Sequence, residues 1–230
     1  MLTLDEAVNV TRTGDLWVFR GRSLPDRAIQ TMTNSPVNHV GMAIVVDDLP
    51  PMMWHAELGR SLTDLWSGTH HRGVQLHDLR DAVLRWGNRY GQRGWLRQLE
   101  PEATAEMEDA ALRTVARLDG TPFPSTARLA GRWARGRLPQ VRLRTKDSRT
   151  KVSPTKDSPT KDSPTTEGTL ESAYCAEVAA VTYESMGLLP AGRRAGWYDP
   201  GKFWSGDDLD LLGGHRLGDE IAVDIPPAAK

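Results

Sequence analysis

The sequence predicts a single α+β domain in which helices pack against a sheet. Short apolar segments bounded by glycine, proline and aspartate predict strands in the first half of the chain. A clear helical period after them predicts at least one amphipathic helix. The length of 230 residues suits one domain that carries an insertion.

Four short strands are predicted in the first third of the chain. The second of them follows a Ser35-Pro36 turn and becomes wholly apolar after His39, and the third follows two consecutive prolines. The four segments are Leu16–Phe19, Val37–Val46, Met52–Glu57 and Gly73–Leu76.

The clearest predicted helix covers Glu102–Leu118, where apolar residues recur at helical spacing, acidic residues fill the first turn and Gly120 follows the end. The pattern of Leu79–Trp86 fits a helix or a strand. The other predicted elements are a short helix at Pro25–Thr33, a strand at Arg93–Leu99, a helix at Thr126–Arg137, a helix capped by Glu171 or Ser172 that runs to Met186, and a last strand at Glu220–Ile225.

A polar repeat interrupts the predicted domain. The unit Thr-Lys-Asp-Ser-Pro recurs between Thr145 and Pro164 with almost no apolar side chain. Such a segment cannot offset its ordering entropy by burial, so we expect residues 145–167 to be a disordered insertion. The domain is then made of residues 1–144 and 168–230.

The composition excludes several classes of function. Lys and Arg number 29 and Asp and Glu 30, so a net charge of -1 gives no reason to expect a nucleic-acid partner. The N-terminus lacks the apolar core of a signal peptide, and no segment approaches the ~20 apolar residues of a membrane span. We therefore expect a cytoplasmic protein with no integral membrane segment, and the oligomeric state stays open.

Cys175 is the only cysteine, which excludes an internal disulfide. It lies at the start of a helical pattern, and the N–H groups and positive dipole of a helix N-terminus lower the pKa of a thiol. The same N–H groups would stabilise an oxyanion formed during nucleophilic attack. The alternative is a small buried residue that packs like alanine.

Two histidines upstream are candidate partners of this thiol. His39 stands at the beginning of a buried strand, where a fixed backbone and limited water suit a general base, and Gly41 leaves room for a close approach. Alternation along the next strand places His55 and Glu57 on one face. An antiparallel neighbour would bring one of them beside His39, as the third member of a catalytic triad. The alternative is an ordinary polar strand face.

Several segments together resemble a known group of proteins. In chain order they are Gly14–Phe19, Ile29–Ser35 with the His39 strand, Trp54–Glu57, Arg72–Leu76, Gly120–Phe123 and Tyr174–Val178. Their order and spacing resemble the circularly permuted, papain-like NlpC group and its YiiX-like branch, with lecithin retinol acyltransferase as a more distant relative. The resemblance covers most of the chain outside Leu138–Glu167.

The resemblance implies a permuted papain-like α+β fold, with an antiparallel sheet packed against the nucleophile helix. It implies that Cys175 is the nucleophile and His39 the general base. His55 stands at the usual place of the third polar residue, where many YiiX-like proteins have glutamate, and Glu57 two residues later is the alternative. Tyr174 would line the site or help to hold the oxyanion.

The expected function is that of a thiol hydrolase (amidase or peptidase) or an acyltransferase. It would cleave an amide or ester of a small amide, peptide or lipid through a thioester intermediate. The alternatives are a non-catalytic module that binds an acyl ligand on the same fold, and an interaction protein tethered by the repeat. No cofactor or metal is expected, because the cysteine and histidines lack the compact spacing of a zinc site.

Overall fold

The computed structural model describes residues 1–22, 35–57, 59–122, 164–205 and 209–228. The helices predicted at Pro25–Thr33 and Thr126–Arg137 lie outside this described part, as do residues 145–163 of the repeat. The last four residues assigned to the insertion, Pro164–Glu167, form the first turn of a helix. The expectation that residues 145–167 form a disordered insertion stays a prediction.

Most strands of the described chain join one sheet. They are β1 (Leu2–Thr3), β2 (Leu16–Arg20), β3 (His39–Ile44), β4 (Met52–Glu57), β5 (Gly73–Asp78), β6 (Arg93–Arg97), β7 (Leu99–Glu100), β8 (Arg216–Leu217) and β9 (Ile221–Asp224). Seven of them form a sheet in the order β1-β9-β6-β2-β3-β4-β5, and β7 pairs with β8 separately. Every pair is antiparallel except β1 with β9.

Four α-helices and two short 3-10 turns complete the described structure. They are α1 (Leu4–Asn9), α2 (Leu79–Tyr90), α3 (Ala105–Leu118), α4 (Pro164–Ser185) and the turns Ala195–Trp197 and Pro200–Phe203. Helices that pack on a mostly antiparallel sheet confirm the α+β class. The permuted papain-like topology stays a prediction. No helix within the described ranges is both long enough and apolar enough to cross a membrane.

The central strands β3 and β4 are buried along their whole length because helices cover both faces of the sheet. Side-chain alternation sends Met42 and Trp54 to one face and Ala43 and Met53 to the other. We call these the α4 face and the α2 face. Helices α4 and α3 cover the α4 face, and helices α2 and α1 cover the α2 face.

Local sequence explains where these helices begin and end. The Asp78 side chain accepts a hydrogen bond from the Asp81 N–H at the start of α2, and Gly91 ends that helix with φ 62°. Thr104 caps α3 in the same way through the N–H of Met107. Near the N-terminus, Thr3 and Glu6 form a capping box for α1.

Several elements differ from the sequence-based expectation. The ambiguous segment at Leu79–Trp86 is helical, since Leu79, Ala82, Val83 and Trp86 form one buried stripe. The strand predicted at Arg93–Leu99 is split into β6 and β7. The prediction that Glu171 or Ser172 caps the start of this helix is wrong, because α4 begins at Pro164. Elements β1 and α1 were not predicted at all.

Candidate functional site

Three histidines form a hydrogen-bonded chain on the α2 face of the sheet. His39, His55 and His77 lie on the adjacent strands β3, β4 and β5. The Nε2 atom of His39 is 2.9 Å from Nδ1 of His55. In turn, Nε2 of His55 is 2.9 Å from Nδ1 of His77. We call this set the histidine chain, and each of its members is at most 1 % exposed.

Gln75 orients the far end of the histidine chain. Its amide Nε2 donates to the backbone carbonyls of Glu57, at 3.3 Å, and Gly73, at 3.4 Å. Two carbonyls can only accept hydrogen bonds, so the amide group that faces them must be the NH₂. The Gln75 Oε1 atom therefore faces Nε2 of His77, at 3.1 Å. That contact requires the His77 Nε2 to carry a proton.

All three histidines are neutral near pH 7. Burial lowers the pKa of His39 to about 3 and that of His77 to about 4. The pKa of His55 is also well below its ordinary value, because of burial and then the neighbouring His77 and His39 rings. A neutral imidazole carries one proton and one lone pair.

The proton on His77 Nε2 and the neutrality of all three rings together fix the position of every ring proton in the histidine chain. A neutral His77 that is protonated at Nε2 has a lone pair at Nδ1, so it accepts from His55 Nε2–H. The same reasoning makes His55 Nδ1 the acceptor for His39 Nε2–H. The Nδ1 of His39 is then a bare lone pair, and it is a buried atom with no hydrogen-bond partner in the described part of the chain.

Glu57 lies next to the histidine chain but does not touch His39. Its Oε1 accepts from the Tyr90 hydroxyl at 3.3 Å, and its Oε2 is 3.8 Å from Nδ1 of His77. The Oε2 atom is buried and has no hydrogen-bond partner among the described residues. Burial raises the pKa of Glu57, and the Tyr90 hydrogen bond and the charge of Arg85 act in the opposite direction.

Aromatic side chains close the site from the helix side. The Trp86 ring of α2 stacks on the His39 ring with a centroid distance of 3.8 Å and an interplanar angle of 21°. Phe19 lies on the other strand neighbour, β2, with its ring centroid 5.9 Å from that of His39. The site is therefore dry, which strengthens its hydrogen bonds.

The structure does not bring Cys175 to His39. Cys175 and Tyr174 are buried in the apolar cluster of the α4 face, together with Val40 and Trp54. The His39 ring projects to the α2 face and stacks on Trp86 there. Neither nitrogen of His39 bonds to the thiol, since Nε2 pairs with His55 and Nδ1 has no partner in the described ranges.

Cys175 also lies in the middle of a helix and not at its beginning. Helix α4 starts at Pro164, so almost three turns precede the thiol. Within a helix, the N–H of each residue bonds to the carbonyl four residues earlier. The expected activation of Cys175 by a helix N-terminus, and an oxyanion site at its N–H, are therefore wrong for this arrangement.

The sequence predicted the contact between His39 and His55 but not the rest of the histidine chain. His77 was missed because the predicted strand ended at Leu76, whereas β5 runs to Asp78, and Gln75 lay inside the predicted strand but was given no role. In the antiparallel register, Gln75 is paired with His55 and His77 with Met53. Alternate side chains of a strand lie on the same face, so a predicted strand that continued to Asp78 would have placed Gln75 and His77 on the face of His55.

A second group of polar side chains lies outside the histidine chain. The ligand atoms of Asp64, His71 and Asp119 are within 4.8 Å of one another. Both carboxylate oxygens of Asp64 already accept hydrogen bonds, one from Ser67 and the other from the Leu76 N–H. His70, the chain neighbour of His71, is hydrogen-bonded to Thr63.

Comparisons with known proteins reveal only distant similarity. No family model matches the chain, and no curated protein matches it. Five chains of solved structures match, among them the metalloprotein YiiX of Escherichia coli O157:H7, with 22% identity and a TM-score of 0.38. The match covers 50% of this chain and 54% of YiiX, so the chain spans about half the length of that structure. This distant structural neighbour assigns neither a fold family nor an activity.

Proposed function

We propose that the protein is a hydrolase or acyltransferase for amide or ester bonds, with His39 Nδ1 as the general base and Cys175 as the nucleophile. The proton order of the histidine chain carries this proposal. It holds a lone pair at the one His39 nitrogen that has no partner among the described residues. A general base needs such a fixed lone pair, and His55 supplies the orienting contact of a third triad member.

In this structure the sheet separates the two residues, since His39 lies on the α2 face and Cys175 on the α4 face. The Tyr183 hydroxyl donates to the Gly14 carbonyl at 2.6 Å, and the Gly14 N–H donates to the Ala43 carbonyl at 3.0 Å. The C-terminal part of α4 therefore lies beside the end of β3, and Cys175 stands two turns earlier in the same helix.

The proposal requires a second arrangement, in which the first turns of α4 open and the Cys175 thiol reaches the His39 side of the sheet. Between Pro164 and Glu171 this helix contains Thr165, Thr166, Gly168 and Thr169. Each of these costs about 0.5–1 kcal/mol relative to alanine in a helix, so these turns unwind at little cost. A helix that began at Ser172 would place Cys175 in its first turn, where the N–H groups have no intrahelical partner.

The chemistry then follows the usual order of thiol catalysis. The Cys175 thiol transfers its proton to His39 Nδ1, and the thiolate attacks the carbonyl carbon of the substrate. His39 Nδ1–H returns the proton to the leaving amine or alcohol, which leaves a thioester at Cys175. Water or an acceptor alcohol or amine, deprotonated by His39, then cleaves the thioester. Throughout, His55 Nδ1 accepts from His39 Nε2–H and stabilises the imidazolium.

The pH dependence of Cys175 alkylation by iodoacetamide tests this proposal. Because the chain has one cysteine, each added mass reports that thiol alone. Because the pKa of His39 is about 3, His39 takes the thiol proton only as the thiol attacks, and we expect the wild-type rate below the free-thiol pKa of about 8.5 to exceed that of a free thiol. His39→Ala should remove this excess. His215→Ala, which changes a histidine outside the site, should keep it.

A slow wild-type rate that rises only near the free-thiol pKa, and that His39→Ala leaves unchanged, would overturn the proposal. Cys175 would then be a packing residue of the α4 face. The remaining function on this fold would be binding of an acyl ligand without catalysis.

A further inference from the structure

We infer that His55 Nε2, His77 Nδ1 and Glu57 Oε2 form a binding site for one divalent transition-metal cation such as zinc. This site goes beyond the proposed catalysis, and it does not involve Cys175. The three ligand atoms all lie within 4.8 Å of one another. Two histidines and one glutamate are a common donor set for zinc and for iron(II).

The distances between the ligand atoms suit a bound cation. Zinc bonds to histidine nitrogen and carboxylate oxygen at about 2.0–2.2 Å, so its ligands lie roughly 3.4 Å apart in a tetrahedral site. The two measured separations bracket that value, with 2.9 Å between the two histidine nitrogens and 3.8 Å from His77 Nδ1 to Glu57 Oε2. Small side-chain rotations are therefore enough.

An unsatisfied buried atom points to a missing partner at this place. Glu57 is 1 % exposed, and its Oε2 has no hydrogen-bond partner in the described part of the chain. Oε2 lies 3.8 Å from His77 Nδ1, an acceptor that is already paired with His55 Nε2–H, so His77 offers Oε2 no proton. A cation between them gives the buried carboxylate a counter-charge.

Hydrogen bonds from neighbouring residues already orient the three ligand side chains. Metal-bound histidines usually donate their second N–H to a fixed acceptor, which sets the orientation of the ring. His77 does so through Nε2–H to Gln75 Oε1, and His55 has His39 Nε2 within 2.9 Å of its Nδ1. Tyr90 fixes Glu57 by donating to the other oxygen, Oε1.

Metal binding would also change the state of His39, a consequence that rests on the proposed function. A cation on His55 Nε2 forces the His55 proton to Nδ1, where it is donated to His39 Nε2. His39, if it stays neutral, then carries its proton on Nδ1. The proton leaves His55 Nε2 for solvent, and His39 Nδ1 takes one from solvent, so the chain keeps the same number of ring protons. The metal-bound protein therefore lacks the free base at His39.

Titration of the chelator-treated, full-length protein with Co²⁺ tests the site directly. Visible absorption reports tetrahedral cobalt, and elemental analysis of the zinc-loaded protein gives the stoichiometry. We expect one equivalent per chain, and at least a tenfold weaker affinity in Glu57→Gln and in His77→Gln. Glu57→Gln keeps the side-chain size and an acceptor for Tyr90. His71→Gln in the Asp64 group is the matched control and should keep the affinity.

The thermal midpoint is a second measurement, and it distinguishes a folded variant that has lost the site from a variant that does not fold. A cation that binds the folded state raises the thermal midpoint with concentration. We expect zinc to raise the midpoint of the wild type and of His71→Gln, but not that of a folded Glu57→Gln. The site is disproved if cobalt does not bind, or if Glu57→Gln binds it as well as the wild type. Loss of binding in His71→Gln alone would place the cation at Asp64 and Asp119 instead.

The effect on His39 is read separately, from the alkylation rate with and without zinc. If both proposals hold, zinc slows alkylation of Cys175 in the wild type but not in Glu57→Gln. A zinc effect that persists in Glu57→Gln would mean direct binding to the thiol and would overturn the coupling. If cobalt binds as expected while alkylation never depends on His39, the metal site stands and the catalytic proposal fails.

Discussion

Gln75 sets the proton positions of three histidines because its amide has only one possible orientation. Its NH₂ group faces two backbone carbonyls, so its oxygen must face His77. No charged group is needed for this effect, since the proton order passes along neutral rings through two hydrogen bonds of 2.9 Å. A single uncharged side chain therefore determines which His39 nitrogen can act as a base.

Nitrogen-15 NMR of the imidazole rings tests this proton order. In the wild type near neutral pH we expect His39, His55 and His77 each to carry the proton on Nε2. Gln75→Met should mix the two tautomers, because the fixed acceptor for His77 is gone. Removal of the amide also leaves the buried His77 Nε2–H without its acceptor, so the free energy of unfolding should fall by about 1–3 kcal/mol.

Gln98→Met is the matched control for this experiment. The Gln98 amide donates to the Val10 carbonyl, away from the histidine chain, so the ring signals should stay as in the wild type. A protonated Nδ1 on any of the three wild-type rings would contradict the proton order derived from Gln75.

Packing between strands β3 and β4 holds the histidine chain in register. Gly41 of β3 leaves the space that the Met53 side chain of β4 fills. A Cβ atom at Gly41 would lie 2.8 Å from Cγ and 2.9 Å from Sδ of Met53, and 3.5 Å from Cβ of His55. The room that the sequence assigned to an approaching ligand is therefore occupied by the chain itself.

Gly41→Ala should destabilise the protein by about 1–3 kcal/mol, because the buried Met53 must move inside a closely packed core. Urea unfolding measures this change. Gly218→Ala is the control, since its Cβ would meet its nearest atom, Glu100 Oε1, at an ordinary 3.4 Å. Shortening Met53 to alanine should relieve the clash, so the double variant should lose less stability than the two single changes together. Additive losses would contradict the clash.

The elements show which part of the site the sequence could predict. Strand alternation placed His55 and Glu57 on one face of β4, and antiparallel pairing predicted that one of the two would lie beside His39, where the structure has His55. Alternation does not identify the face that a distant helix covers when both faces of a strand are apolar. Both faces of β3 and β4 are buried. The position of Cys175 on the opposite face was therefore not accessible from local patterns.

At the scale of the described molecule, two sets of ionisable groups have opposite effects on stability. The three histidines have pKa values below the ordinary 6.5, because burial disfavours their charged form. Asp15, which accepts from the Leu99 and Arg12 N–H groups, has its pKa raised by burial to about 6. Burial likewise raises the pKa of Asp119 to about 6.

The histidines should make the protein sensitive to mild acid. As the pH falls from 6.5 toward 4, the unfolded state binds protons that the folded histidines do not, so the free energy of unfolding falls. Each histidine contributes a slope of up to about 1.4 kcal/mol per pH unit in this range. Asp15 acts in the opposite direction between about pH 4 and 6, because the folded state holds its proton more tightly.

Urea unfolding of wild type and Asp15→Asn at about pH 7 and about pH 5 separates the two sets. We expect the wild type to be less stable at the lower pH, because three buried histidines outweigh the raised carboxylates. Asp15→Asn should lose more stability over the same interval, since it lacks the opposing proton uptake of the folded state. Equal stability of the wild type at the two values would mean that the histidine chain accepts protons while folded. The neutral proton order on which the base at His39 depends would then be wrong.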